Sequence, residues 1–502
     1  MSTVPVLDRT AERLGRGRSE PAGGGGAGRV WTVEDAKRMS PSEVATLYRA
    51  HVNPGQVDMM RLVGCDRVGI REARGAVLVD GAGNAILDFW GGFGALALGH
   101  NHPRIVEARM RFQRENRHEL VMAFLSQYAT ALAATLAHVA PGNLEVVHLC
   151  TSGSEAVEAA LKLAEHAQGA QRAGIVYVEN SFHGKTKGAL SVTDSERFRS
   201  DFRLLPHRIR IPFGDAAALE RALTADPALG AVILEPIQGG AGIVVAPDGY
   251  LRDVRRICDR HRVLWIADEV QSGFGRTGRF FAFEHDGVVP DVVTMAKALG
   301  GGKAAVGAAI TTREVFERAY GSPARALVHG PSTFSAMGEA CCTALEAINV
   351  LLDEGLMERA QRIGGELLSG LHVLRGRFPG LIREVRGRGL MVAIEFQDLS
   401  GALPQPLRPL LNPLDGSGAL CAAVGTLLLR DHRVLIGFTD YNRNVARLAP
   451  PLVVERRQIQ ALLAALEATL ELGVTGILRR FAARTLRPGD PGVGTEPATP
   501  HG

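Results

Sequence analysis

Two kinds of apolar pattern alternate along the chain. Runs that are apolar at nearly every position, EVVHLC (145–150), GIVYVE (174–179), GAVILE (230–235), VLWIAD (263–268) and DVVTMA (291–296), predict strands covered on both faces. Between them, SEAVEAALKLAEHA (154–167), PDGYLRDVRRICDRH (247–261) and MGEACCTALEAINVLLDEG (337–355) place apolar residues three and four apart, as amphipathic helices do. Strands that alternate with helices predict an α/β fold around a mostly parallel sheet. Residues 356–480, around VRGRGLMVAIEF, carry strand and helix patterns of their own and predict a second, smaller unit shared with residues 30–95. The expected division is a disordered leader at 1–29 and an N-terminal segment of the small domain at 30–95. A large domain follows at 96–345, then the C-terminal part of the small domain at 346–482 and a disordered tail at 483–502. GGGGAG closes the leader and RPGDPGVGTEPATPHG makes up most of the tail, both compositions that cannot build a core.

Composition narrows the function classes. A chain of 502 residues with 46% apolar and 22% charged content buries a large core. The net charge is only +4, and the basic residues are six lysines against 51 arginines, so nothing predicts a nucleic-acid partner. Six cysteines show neither C-x-x-C pairs nor metal spacing, which predicts a reduced, cytoplasmic setting and no metal site. No apolar run reaches the length of a membrane span and the N-terminus has no signal-type apolar core, so neither membrane insertion nor secretion is expected.

Five segments carry chemistry. In HLCTSGSEAVEAALKLA a strand ends at Cys150 and a helix begins after Ser152, with Ser152 and Glu155 at capping-box spacing. Such a start presents free N–H groups and a positive dipole end to a phosphate; Gly153 permits close approach and Ser154 adds a hydroxyl. An ordinary capped helix is the competing reading. In ENSFHGKTKGALSVT, Phe182 and His183 follow a strand's C-terminal end, where ligands bind in open α/β sheets and an aromatic can stack on a flat heterocycle or simply pack. Glu235 and Asp268 each end an apolar strand; a buried carboxylate there calls for a cation, whether from a ligand or from a core ion pair. Residues 273–278, GFGRTG, match G-x-G-x-x-G in form. No helix pattern follows them, only RFFAFEHDGVVPD, so they read as a long loop and not as a dinucleotide turn. The last segment, DVVTMAKALGGGK, offers two lysines. Lys297 ends the strand after the one that ends at Asp268, while Lys303 lies past the glycine turn and reads as a structural or surface charge. A phosphate cradle, an aromatic plate, a carboxylate and a lysine at strand ends together match what pyridoxal 5′-phosphate requires.

The succession DFWGGFGALALGHNHP, TSGSEA, SFHGKTKGALS, EPIQGGAGI, ADEVQSGFGRTG, TMAKALGGG, STFSAMGEA and RLAPPL resembles the class III pyridoxal-phosphate aminotransferases, over about residues 57–475. The resemblance implies the PLP-dependent transferase fold type I, a large cofactor-binding domain with a smaller α+β domain, and a homodimer with shared active sites. It implies that Lys297 forms the Schiff base, that Asp268 partners the pyridine nitrogen and that Val270 packs on the ring face opposite Phe182. Gln271 matches the neighbour of the ring's phenolic oxygen, His183 stands beside Phe182, and Glu235 occupies the family's Glu-Pro position. Gly153 and Ser154 match the phosphate cup, and Thr333 the threonine that reaches the neighbouring subunit's phosphate. Arg447 matches the arginine that clamps a substrate carboxylate, and Trp90, with Phe93, is a candidate for the wall of the substrate mouth.

One departure bears on substrate. Relatives acting on ornithine or γ-aminobutyrate usually carry glutamate where this chain has Gly240. The expected donors and acceptors are thus a terminal amine, an amino sugar or a secondary-metabolite aldehyde, with glutamate, alanine or their keto acids as amino partner. The rivals are an aminomutase of the glutamate-semialdehyde type, a decarboxylating relative and a nicotinamide oxidoreductase.

Overall fold

The structure, a computed structural model, describes residues 30–119, 124–329, 332–399, 418–439 and 441–485; the expected leader at 1–29 lies outside them. A seven-stranded sheet forms the centre. In spatial order its strands are Leu144–Cys150, Gly307–Thr312, Val292–Met295, Leu264–Asp268, Leu229–Leu234, Gly174–Val178 and Arg208–Ile211. Five of these are the predicted apolar runs, with ends shifted by one residue or none. All run parallel except Gly307–Thr312, which pairs antiparallel with both neighbours. That strand returns from Met295 through a short loop with no crossover helix, and a return of that kind reverses direction.

Helix Gly153–Gln168 buries Ala156, Val157, Ala160, Leu163 and Ala164, and helix Tyr250–His261 buries Leu251, Val254, Ile257 and Cys258. Both sets follow the three-and-four spacing of a face laid on a sheet. The strands between are buried throughout, as at Ile233, Ile266 and Val293.

Two smaller antiparallel arrays flank this body. Ile382–Arg388, Met391–Phe396, Val445–Leu448 and Gly437–Phe438 form one, with Ala393 opposite Arg447. Ile70–Arg74, Val77–Asp80 and Ala85–Asp88 form the other, and Val434–Leu435 joins it in parallel beside Ala85–Asp88. Two expected boundaries fall within helices. The break at 345/346 falls inside the continuous helix Gly338–Asp353, whose buried Ala344, Ala347 and Ile348 keep one face in the core across it. Positions 483–485, expected to lie in a disordered tail, instead belong to helix Gly473–Thr485, anchored by Ile477, Leu478 and Phe481; residues 486–502 lie outside the described residues. Among the described residues no single helix is long and apolar enough to cross a membrane, and no group of His, Cys, Asp or Glu side chains is arranged to hold a metal.

Candidate active site

The parallel strands all end on one side of the sheet, which gathers the five chemical segments around a cavity of about 590 Å³. Gly153, Ser154, Phe182, His183 and Glu235 line it, with Asp268, Val270, Gln271 and Lys297. Strand register explains the central pair. Asp268 lies opposite Thr294 on the neighbouring parallel strand, three residues before Lys297.

Asp268 is 4% exposed, and both of its oxygens accept hydrogen bonds. Its Oδ2 accepts from His183 Nδ1 at 2.6 Å, and its Oδ1 accepts from the Val270 N–H at 3.0 Å and the Thr294 hydroxyl at 3.1 Å. His183 is buried, and its Nε2 has no partner among the described residues, so its ring serves chiefly to hold the carboxylate. Thr294 escaped the sequence reading because only the register shows that it faces Asp268.

Glu235, on the cavity wall, is buried, and each of its oxygens accepts one backbone N–H, from Phe182 at 2.9 Å and from Gly239 at 2.9 Å. Burial pushes its carboxyl up to about 7; the charge of His183 opposes the rise and that of Asp268 adds to it. Lys297 leaves the strand in the left-handed region, with φ at 46°. Burial lowers its ammonium pKa, the charges of Asp268 and Glu235 counter the drop, and Arg447 reinforces it.

The helix start after Ser152 forms where the sequence predicts it, with one difference in its cap. Ser152 caps helix Gly153–Gln168 by accepting from the Glu155 N–H at 3.2 Å. The expected reciprocal bond is absent, because the Glu155 carboxylate instead accepts from the Thr151 N–H at 2.6 Å and the Thr151 hydroxyl at 2.5 Å. At Gly153 a Cβ would lie 2.7 Å from Val270 Cγ1, so only glycine lets the helix start come this close to the strand end.

Three predicted residues lie outside the cavity lining. Thr333 is exposed. Trp90 meets Phe93 edge-on at 5.1 Å, and both line a separate apolar cavity with Met60, Leu435 and Phe438. Arg447 is buried next door; its Nη1 donates to the Gly239 carbonyl at 3.3 Å and its guanidinium lies 4.7 Å from the Phe93 ring centre. Lys303, read as a structural or surface charge, is exposed on the rim of the cofactor cavity and bonded to Asn101.

Gly240 also finds a physical account. A Cβ there would lie 2.9 Å from Phe182 Cβ and 3.2 Å from Tyr441 Cε2. Tyr441 donates its hydroxyl to the Ser181 carbonyl at 2.8 Å and lies edge-on to Phe198, which in turn meets Phe182. An aromatic contributed from a distant segment thus stands where a side chain at 240 would go.

These residues fit pyridoxal phosphate. The helix N-terminus at Gly153 and Ser154 suits a phosphate, and the ordered Asp268 carboxylate suits a protonated ring nitrogen. Phe182 and Val270 offer apolar surfaces for the two ring faces, and Lys297 offers an amine whose neutral form burial favours.

Comparison with known proteins agrees. The family model for aminotransferase class III matches residues 63–470. Aminotransferase PigE of Serratia sp. is 36% identical over 458 residues, covering 85% of this chain; the chain spans 53%, about half, of that relative's length. The ornithine aminotransferase of Toxoplasma gondii, solved with pyridoxal phosphate at partial occupancy in its active site, superposes with a TM-score of 0.74 at 28% identity, covering 91% of this chain and all of that one. An (S)-enantioselective omega-transaminase from Thermomicrobium roseum gives a TM-score of 0.75 at 27% identity, over 88% of this chain and 99% of that one. The chain belongs to the class III aminotransferase family, whose members depend on pyridoxal phosphate and share fold type I.

Proposed function

We propose that this chain moves an amino group between a primary amine or amino acid and a keto acid or aldehyde, in two half-reactions at one site. The observation that carries the reading is the placement of Lys297 and Asp268 at adjacent strand ends, facing one cavity with the helix start at Gly153. When bound, the cofactor supplies an electron sink for the negative charge that develops on the carbon bearing the amino nitrogen. Lys297, its free amine favoured by burial, takes the proton from that carbon and delivers it back on the other side of the exchange. Asp268 would keep the ring nitrogen protonated through a charge-assisted hydrogen bond, and His183, Val270 and Thr294 hold its carboxylate in place. Ser154 and the N–H groups of the helix start would hold the phosphate, and Gln271, on the same cavity wall, would stand beside the ring oxygen.

Arg447 recognises a carboxylate through its planar fork of donors, that of glutamate, alanine or their keto acids. Gly240, with Tyr441 in the adjoining space, supports a terminal amine, an amino sugar or a secondary-metabolite aldehyde as the other substrate, in place of ornithine or γ-aminobutyrate. The exposure of Thr333, outside its own chain's cavity, supports a homodimer in which it serves the neighbouring site. The same reading takes residues 96–345 as the cofactor-binding domain; the Val434–Leu435 strand beside Ala85–Asp88 supports joining 30–95 to the C-terminal unit.

A panel of primary amines, diamines and amino sugars, assayed with pyruvate or 2-oxoglutarate, tests the reading. Product that forms only when a keto acid is present supports it. Isomerisation of a single substrate without keto acid assigns an aminomutase and overturns it.

A further inference from the structure

Arg276, inside the GFGRTG run, is 1% exposed. Its Nη1 donates to the carbonyls of Leu390, at 3.3 Å, and Pro450, and its Nη2 donates to that of Gly94 at 3.2 Å. No carboxylate hydrogen-bonds it among the described residues, and burial lowers its pKa to about 10 against the favourable charge of Asp88. A buried cation held by carbonyls alone is costly, and a core that needed only volume here would take an apolar side chain. What the cation joins explains its presence. Gly94 ends the turn that carries Phe93, and Pro450 lies three residues after Arg447. Asp88 fixes the other end of that turn, accepting from the N–H groups of Trp90 at 3.0 Å and Gly91 at 2.8 Å. Between these anchors Phe93 sits in the left-handed region at φ 58°, its ring centre 4.7 Å from the Arg447 guanidinium. The two segments are laced together directly as well, the Ala449 N–H donating to the Phe89 carbonyl at 2.8 Å.

We propose that Arg276 is a positioning residue for carboxylate recognition: by gripping the carbonyls of Gly94 and Pro450 together, it holds Phe93 against Arg447 and fixes the direction from which that guanidinium meets a substrate carboxylate. The inference rests on the reading of Arg447 as the carboxylate-binding group. Lysine cannot replace the grip, because a single ammonium lacks the planar fork that spans three separated carbonyls.

The test uses the cofactor-loaded protein and glutarate as probe, with Kd read by calorimetry. Arg276→Lys is expected to raise the glutarate Kd about tenfold, equivalent to about 1.4 kcal/mol, and to leave cofactor affinity unchanged. Phe93→Leu, on the exposed side of the same turn, tests the grip without touching the buried cation and is expected to do the same. Together the two changes should cost no more than either alone, since they break one arrangement. An unchanged glutarate Kd in either variant overturns the inference, as does a parallel loss of cofactor affinity, which marks general damage to the fold. If the unaltered protein fails to bind glutarate, the reading of Arg447 falls first and the inference with it.

Discussion

Replacing Asp268 by asparagine separates the charge of the ring-nitrogen partner from its shape. The amide keeps an Oδ1 acceptor for the Val270 N–H at 3.0 Å and the Thr294 hydroxyl at 3.1 Å, so the strand end stays ordered. The second oxygen, now an NH2, faces His183 Nδ1, which was 2.6 Å from the carboxylate; the imidazole accommodates it by moving its proton to Nε2. What is lost is the charge-assisted bond to the protonated ring. Hydrogen bonds to charged groups contribute about 1.5–3 kcal/mol, so cofactor affinity is expected to fall about 10- to 150-fold. Turnover at saturating cofactor is expected to fall as well, because a neutral ring withdraws electrons less strongly. Absorbance titration of the cofactor-free variant measures the first effect and single-turnover kinetics the second. Affinity within about twofold of the parent, with near-normal rates, would mean that another group protonates the ring, and the argument built on Asp268 would be wrong.

Three further perturbations probe other parts of the site. Arg447→Ala is expected to raise KM for a carboxylate-bearing donor at least about 30-fold, with less effect on a carboxylate-free amine; equal losses for both would refute its assignment. Glu235 has a folded pKa of about 7 against 4.5 in an exposed chain, so its neutral form stabilises the cofactor-free fold below about 4.5, and that contribution, about 3 kcal/mol, is lost as pH rises through about 7. In Glu235→Gln the decline in melting temperature over that window should therefore be shallower than in the parent; identical slopes contradict the assignment. Gly240→Glu forces a Cβ to within 2.9 Å of Phe182 Cβ and should weaken cofactor binding by about 1–3 kcal/mol, with part of the loss recovered by Tyr441→Ala; unchanged binding would show that the crowding relaxes freely.

What the sequence made legible were features of local pattern. Continuous apolar runs marked five of the seven central strands, and because each is followed at or just past its end by a candidate residue, the shared direction of these strands brings Gly153, Phe182, Glu235, Asp268 and Lys297 to one cavity. The strands Arg208–Ile211 and Gly307–Thr312 were missed. The first is short with charged alternate positions, and the second is small and threonine-rich, so neither reads as a buried run. Contacts made across long separations were also hidden. Thr294 on Asp268, Tyr441 against Gly240 and Arg276 on Pro450 depend on strand register or on docking of the smaller unit, which no spacing encodes. The Glu155 side chain illustrates the finer limit: its spacing suits a capping box, yet Thr151 offers two donors one residue earlier and wins the carboxylate. The glycine run at 273–278, which matches a dinucleotide turn only in form, is a loop whose Arg276 donates to carbonyls of three separate segments, at Gly94, Leu390 and Pro450.

The claim on which the rest depends is that Lys297, and not its neighbour Lys303, bonds the cofactor. Borohydride reduction of the loaded protein, followed by peptide mass spectrometry, reads the attachment point directly. The account predicts the phosphopyridoxyl group on Lys297 and none on protein carrying Lys297→Ala. Modification at Lys303 or at another lysine, or an unlabelled Lys297 in protein that still holds its cofactor, would contradict it.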